Sequence, residues 1–191
     1  AGFLATHNEF ARRMPGRIVG VTKDVHGRTA YRLAIQTREQ HIKRDRATSN
    51  ICTAQVLLAV VAAMYAVYHG PDGLRRIAQR VHGLATILAN ALSDHGFELL
   101  NRSFFDTITV KLDQVDELLN QAAKQGYNLR RSSDSTATIS LDETTTTEDI
   151  QALLKIFAPL ATALAMDAPD TDHLKLPRTG DFLEHKVFNS Y

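Results

Sequence analysis

Thr48, Ser49 and Asn50 stand directly before the uncharged stretch ICTAQVLLAVVAAMYAVY, residues 51–68. Hydroxyl and amide side chains at a helix start are natural N-caps, and the unpaired backbone N–H groups there sit at the positive end of the helix dipole. Such a terminus stabilises an anion, and a phosphate or a carboxylate fits it. Just upstream, Arg38, Lys43, Arg44 and Arg46 outnumber Glu39 and Asp45, with His41 interleaved. Arginine holds an oxyanion bidentately, so this excess of positive charge suits the same ligand. The same residues also read as a solvated helix face laced with weak ion pairs. Both readings stand at this level.

Other chemistries find no support. The eight histidines and the single Cys52 form no HExxH or Cys-His ligand spacing, so no metal site is expected. No GxSxG elbow, Walker loop or GxGxxG occurs. One cysteine makes no internal disulfide, and a reducing compartment is the default. With 44% hydrophobic and 23% charged residues and a net charge of +1, the chain has the composition of a folded protein. That charge balance, without aromatic interleaving in the basic segment, argues against nucleic-acid binding. Residues 51–68 approach the length of a membrane span, but Thr53, Gln55 and the interspersed alanines suit a helix surrounded by protein. Membrane insertion is therefore not expected. Ala1 to Phe10 lacks the pattern of a targeting peptide, and the ends of the chain read as cuts from a longer polypeptide.

The elements that must position these residues follow from local signals. Thr6 and Glu9 have capping-box spacing for a short helix to Arg13. RIVGVTKD and TAYRLAI read as strands joined through Val25, His26 and Gly27. Thr37 and Gln40 form a second capping-box pair, giving a helix over Arg38–Asp45, and Thr48 and Ser49 cap the apolar helix that His69, Gly70 and Pro71 end. Asp72 opens a further helix with Leu74, Ile77, Val81, Leu84 and Leu88 on one face and Arg75, Arg76, Gln79 and Arg80 largely opposite, closing at Gly96. Beyond it, FELL and SFFDTITVKL read as strands, Gln114–Lys124 as a helix, YNLR and ATISL as strands, and Thr147–Ala158 as a last helix, with Thr145 and Glu148 at capping-box spacing. The fold class is α/β, with an α+β lobe after a break near Asp94–Gly96. The tail from Ala168 reads as loop or linker.

The segment MPGRIVGVTKDVHGRTAYRLAIQTREQHIKRDRATSNICTAQVLLAVVAAMYAVYHGPDGLRRIAQRVH resembles the N-terminal half of the glycine decarboxylase P-protein family, and the likeness continues through FFDTITVKL to PRTGDFLEHKVFNSY. Lys43, Asp45 and Arg46 differ from the residues common in the family but keep the sign of charge. The resemblance implies a fold type I pyridoxal-phosphate enzyme built of two similar halves. Residues 1–95 would be the end of the large domain of the first half, 96–165 its small domain and 166–191 a linker or tail. The family decarboxylates glycine on pyridoxal phosphate and passes the aminomethyl group to the lipoyl arm of H-protein. Implied partners are a C-terminal half or second P-protein subunit, lipoylated H-protein and glycine, in the cytoplasm of a bacterium or the mitochondrial matrix of a eukaryote.

Such chemistry needs a desolvated lysine for a Schiff base. None of Lys23, Lys43, Lys111, Lys124, Lys155, Lys175 and Lys186 lies in the family's His-Lys, glycine-rich motif, so no catalytic residue is expected here and the lysine belongs to the other half. By the resemblance, Thr48, Ser49 and Asn50 bind the cofactor phosphate across an interface. Arg38, His41 and Arg44 are secondary candidates for the same pocket, and Arg130 and Arg131 are weaker candidates for facing substrate. A noncatalytic α+β interaction module, binding a protein through the apolar helix and the basic turn, is the alternative.

Overall fold

The computed structural model describes residues 5–14, 18–34, 39–47, 56–161 and 178–190, and the chain divides into two compact units, Ala1–Tyr65 and Ala66–Tyr191. In the first unit a 3₁₀ turn spans Asn8–Arg13. His7 is its N-cap and makes no side-chain cap bond, so the Thr6–Glu9 capping box does not form. The hairpin forms as the alternating pattern requires: β1 (Val19–Lys23) pairs antiparallel with β2 (Thr29–Leu33). Its turn is fixed by the Asp24 carboxylate, which accepts from the N–H groups of His26 and Arg28, each at 2.8 Å, while Gly27 supplies a φ of 77°. Val19 and Val21 face Leu33 and Tyr31 across the pair.

The helix expected over Arg38–Asp45 is shorter and later. Helix α1 is Gln40–Lys43, capped by Glu39 without a side-chain bond, and a 3₁₀ turn, Arg44–Arg46, follows. Continuation fails at Arg44, whose φ of 54° and ψ of −122° leave the helical region. Thr37 lies outside the described residues, as do Thr48 and Ser49, the expected caps of the apolar helix.

Helix α2 runs over Val56–Asp94 with a break at Gly70, at φ 60° and ψ −179°. Two helical segments meet there, as the His69-Gly70-Pro71 signal anticipates. The backbone region is essentially glycine's own. A Cβ at Gly70 would lie 2.7 Å from the carbonyl oxygen of Phe188, so the 3₁₀ turn Lys186–Asn189 of the tail packs directly on the break. By length and composition α2 is apolar enough to cross a membrane. Its early residues Leu57 (75% exposed) and Met64 (59%) are uncovered in this chain.

The second segment of α2 supplies the main core. Val81, Leu84, Leu88 and Leu92 recur at helical spacing and are buried together with Ile108, Val110, Ala137, Ile139, Ile150 and Leu154. The sheet order is β3 (Thr107–Lys111), β5 (Thr136–Ser140), β4 (Arg130–Ser133), all antiparallel neighbours. Alternation puts Ile108, Val110, Ala137 and Ile139 inward. Thr109 and Thr138 on the opposite face bring their hydroxyls within 3.3 Å. Helices α3 (Val115–Lys124) and α4 (Thr147–Phe157) add Val115, Ala122, Ile150 and Leu153 to the same core. The compact units divide between Tyr65 and Ala66, so α2 upstream of Gly96 shares its core with the sheet downstream.

Both helix ends follow glycine chemistry. The Phe97 N–H donates to Leu92 and the Gly96 N–H to Ser93, and the pair Tyr127 to Ala122 with Gly126 to Ala123 repeats the motif after α3. Gly96 and Gly126 provide the positive φ this closure needs. Three expected strands are trimmed. FELL reduces to one bridge, Leu99 to Val110, because the Asn101 side chain takes the Thr109 N–H and the Thr107 carbonyl, each at 2.8 Å. SFFDTITVKL pairs only over β3. YNLR begins its strand at Arg130, since Tyr127 is held by the end of α3 and by a 2.9 Å bond from its hydroxyl to Asp149.

The capping box of α4 is Thr146 with Asp149, not Thr145 with Glu148. Thr145 is occupied by Asp142: its hydroxyl oxygen accepts from the Asp142 N–H at 3.1 Å. Upstream of α4, Arg80 donates to the carbonyls of Glu143 (3.1 Å) and Thr145 (2.6 Å), tying this loop to α2.

Replacing Gly70 with Ala should destabilise the second unit by about 1–3 kcal/mol and speed proteolytic cleavage within residues 178–190, read by limited digestion. Thr146→Ala should cost about 1 kcal/mol in denaturant unfolding. The bonds from Thr146 and Tyr127 hold the Asp149 carboxyl below its ordinary value. A depressed carboxylate stabilises the fold above the unfolded pKa of about 4 and loses that contribution as pH falls through the lower folded value. The acid limb of the stability curve should therefore flatten in Asp149→Asn.

Candidate functional site

The basic segment lies on α1 and the turn after it. His41, Lys43, Arg44, Asp45 and Arg46 are all exposed, whereas Glu39 is only 3% exposed. The Glu39 carbonyl accepts from the N–H groups of Ile42 (3.0 Å) and Lys43 (2.9 Å), which starts the short helix. Burial of this acid leaves Asp45 as the exposed carboxylate among four exposed basic side chains, so the surface presented is cationic. Arg44 has the backbone of the first central position of a type II′ turn, where glycine is the usual residue. Holding an arginine there stores about 1–3 kcal/mol of strain, a feature concentrated at functional sites.

Of the sequence candidates, His41 and Arg44 thus come together on one exposed cationic segment. Arg38, Thr48, Ser49 and Asn50 lie outside the described residues. Arg131 is engaged in ion pairs with Asp116 (3.2 Å) and Asp134 (3.1 Å) at the sheet edge, a structural use of its charge. Arg130 is exposed on the same edge strand.

The lysines bear on what this chain can do. Among the described residues Lys23, Lys43, Lys111, Lys124, Lys155 and Lys186 are all exposed, and none is in the desolvated pocket that lowers an amine's pKa. Lys111 is shifted the opposite way, upward, by its 2.9 Å hydrogen bond to Glu98 and by that carboxylate's charge. Among the described residues no group of three or more His, Cys, Asp or Glu is placed to hold a metal ion.

One grouping escaped the sequence reading. The tail returns to α2 and forms, with it, an open cavity of about 410 Å³ lined by Leu74, Arg75, Ala78, Arg178, Asp181 and Phe182, among others. The guanidinium carbons of Arg75 and Arg178 lie 5.1 and 5.0 Å from the centroid of the Phe182 ring. Periodicity assigns Arg75 to a polar helix face and composition assigns residues 178–182 to a linker. Neither signal reports a contact between them.

The family model of the glycine cleavage system P-protein matches residues 1–157. The mitochondrial glycine dehydrogenase (decarboxylating) of Pisum sativum is 51% identical over 100% of this chain, which covers 19% of that protein. The glycine dehydrogenase (decarboxylating) of Xanthomonas axonopodis is 53% identical, again over 100% of this chain and 20% of its own length. The chain thus spans about a fifth of the curated relatives it matches. A crystal structure of glycine decarboxylase (P-protein) of the glycine cleavage system, in inhibitor-bound form, superposes on 80% of this chain and 37% of its own with a TM-score of 0.67 at 33% identity. The α/β fold expected from the sequence is shared with that enzyme. A match over most of the chain, continuous from the hairpin to α4, leaves no other grouping: the chain belongs to the glycine cleavage system P-protein family.

Proposed function

We propose that this chain is part of a glycine dehydrogenase (decarboxylating) that depends on pyridoxal phosphate and hands an aminomethyl group to the lipoyl arm of an H-protein. The observation that carries this reading is the identity of 51–53% over the whole chain with proteins of that name. On this reading residues 1–95 end a large domain, 96–165 form a small domain and 166–191 lead onward. The core between Val81–Leu92 and the sheet is then the junction of those two domains.

The role of this chain is to hold rather than to react. The exposed cationic segment at His41 and Arg44 fits the phosphate of the cofactor in charge and donor type, and the planar guanidinium of Arg44 matches a phosphate bidentately. Thr48, Ser49 and Asn50 would donate hydroxyl, amide and backbone N–H groups to the same phosphate, with Arg38 as a further cation. When bound, pyridoxal phosphate supplies the electron sink for loss of carbon dioxide from glycine. The lysine that holds it covalently belongs to a C-terminal half or a second subunit, and the exposure of the described lysines here supports that division of labour. The location would be cytoplasmic in a bacterium and the mitochondrial matrix in a eukaryote.

The test is the assembled P-protein, with this chain joined to or co-expressed with the half that bears the cofactor lysine. It should show pyridoxal absorbance and glycine-dependent exchange of carbon dioxide in the presence of lipoylated H-protein. Changing Thr48, Ser49 and Asn50 together to Ala should weaken cofactor binding by about tenfold or more. Full activity with unchanged cofactor affinity would remove the phosphate role. Arg44→Gly separates strain from function: unfolding should show equal or higher stability, because glycine relaxes the backbone, while cofactor affinity falls. Reduced stability with unaltered affinity would make Arg44 a packing residue only.

A further inference from the structure

The cavity between α2 and the tail has a charge arrangement that selects its ligand. Arg75 is paired with the Asp72 carboxylate at 2.9 Å, so these two side chains together add no net charge at the mouth of the cavity. Arg178 and Asp181 line the same cavity, and among the described residues neither makes an ion pair with the other or with any third group. One uncommitted cation and one uncommitted carboxylate therefore face a single space whose floor is Leu74, Ala78 and the Phe182 ring. Stacking on Phe182 fixes the Arg178 guanidinium while leaving its N–H edge free to donate. A simple anion would meet Arg178 but be repelled by Asp181, and a simple cation would meet the reverse. A zwitterion satisfies both.

We propose that this cavity binds a free α-amino acid with an apolar side chain, its carboxylate on Arg178, its ammonium on Asp181 and its side chain against Leu74, Ala78 and Phe182. The volume of about 410 Å³ lies at the small end of ligand sites. It favours a side chain of leucine or phenylalanine size. Glycine has nothing to cover the apolar floor. The inference rests on this cavity alone and stands or falls independently of the function proposed above.

The experiment is an NMR titration of the methyl resonances of L-leucine with the assembled P-protein. Leucine should bind with a dissociation constant of about 10 mM or tighter. Leucinamide, which lacks the carboxylate, and N-acetyl-leucine, which lacks the ammonium, should each bind about tenfold more weakly. Arg178→Met and Asp181→Asn should weaken leucine by a similar factor. Asp181→Asn is exposed and nearly isosteric, so it reports on binding even if Arg178→Met disturbs the Phe182 stack. Absence of leucine binding, or binding undiminished in Asp181→Asn, overturns the proposal. So does Arg178-dependent binding of inorganic phosphate as tight as that of leucine, which would make the cavity an anion site.

Discussion

Burial of one face of α2 against the three-stranded sheet is the interaction on which the second unit depends. Leu88 and Leu92 have no exposed surface, and Ile108, Val110, Ala137 and Ile139 meet the same cluster from the sheet. A buried leucine contributes a few kcal/mol once cavity formation on its removal is included. Several such residues on one helix outweigh any surface ion pair described here, each of which contributes about 1 kcal/mol or less. The sheet has only three short strands; α3 packs on β4, β5 and α4, and the leucines of α2 complete the core that these elements share. The polar outer face, with threonine and serine hydroxyls bonded to one another, needs no cover.

Once that face is fixed, the break at Gly70 decides what else the helix can hold. Pro71 cannot donate a helical hydrogen bond, and Gly70 adopts a backbone conformation closed to other residues. The missing Cβ lets the Phe188 carbonyl approach closely, which brings the tail back onto the helix. Arg75, one turn past the break, then meets Phe182, and Arg178 joins it on the same ring. A helix whose exposed side reads from periodicity as a solvated arginine face becomes one wall of a cavity.

The first unit is organised by different physics. Its hairpin and short helix bury little, and what it offers is charge: a cationic exposed segment in which Glu39 is buried and Asp45 is the exposed acid. The strained backbone of Arg44 is consistent with a segment shaped for a ligand rather than for stability. The role proposed for it, holding a phosphate, rests on that charge and on membership of the P-protein family. A half that holds a phosphate needs donors and cations, whereas a half that performs the covalent step needs a desolvated amine.

Elements governed by neighbours within one turn or one hairpin were legible from the residues: the β1–β2 hairpin at Gly27, α3 ending at Gly126, α4 starting among the threonines, and the break at Gly70. Family membership was legible too, because the QTREQHIKRDRATSN segment and its flanks form a long, specific pattern. The sequence could not decide between Thr145 and Thr146 as the cap, since both have an acid three residues on, and only the competing bond from Asp142 settles it. Nor could it end the FELL strand at one bridge, which required the Asn101 amide to meet Thr109. The residues alone determined the order of elements, the family and the lack of a cofactor-lysine motif, because these depend on local spacing and residue type. Tertiary structure alone decided the grouping of Arg75, Arg178, Asp181 and Phe182. Contacts between residues so far apart in the chain exist only after the helix has packed and the glycine has let the tail approach.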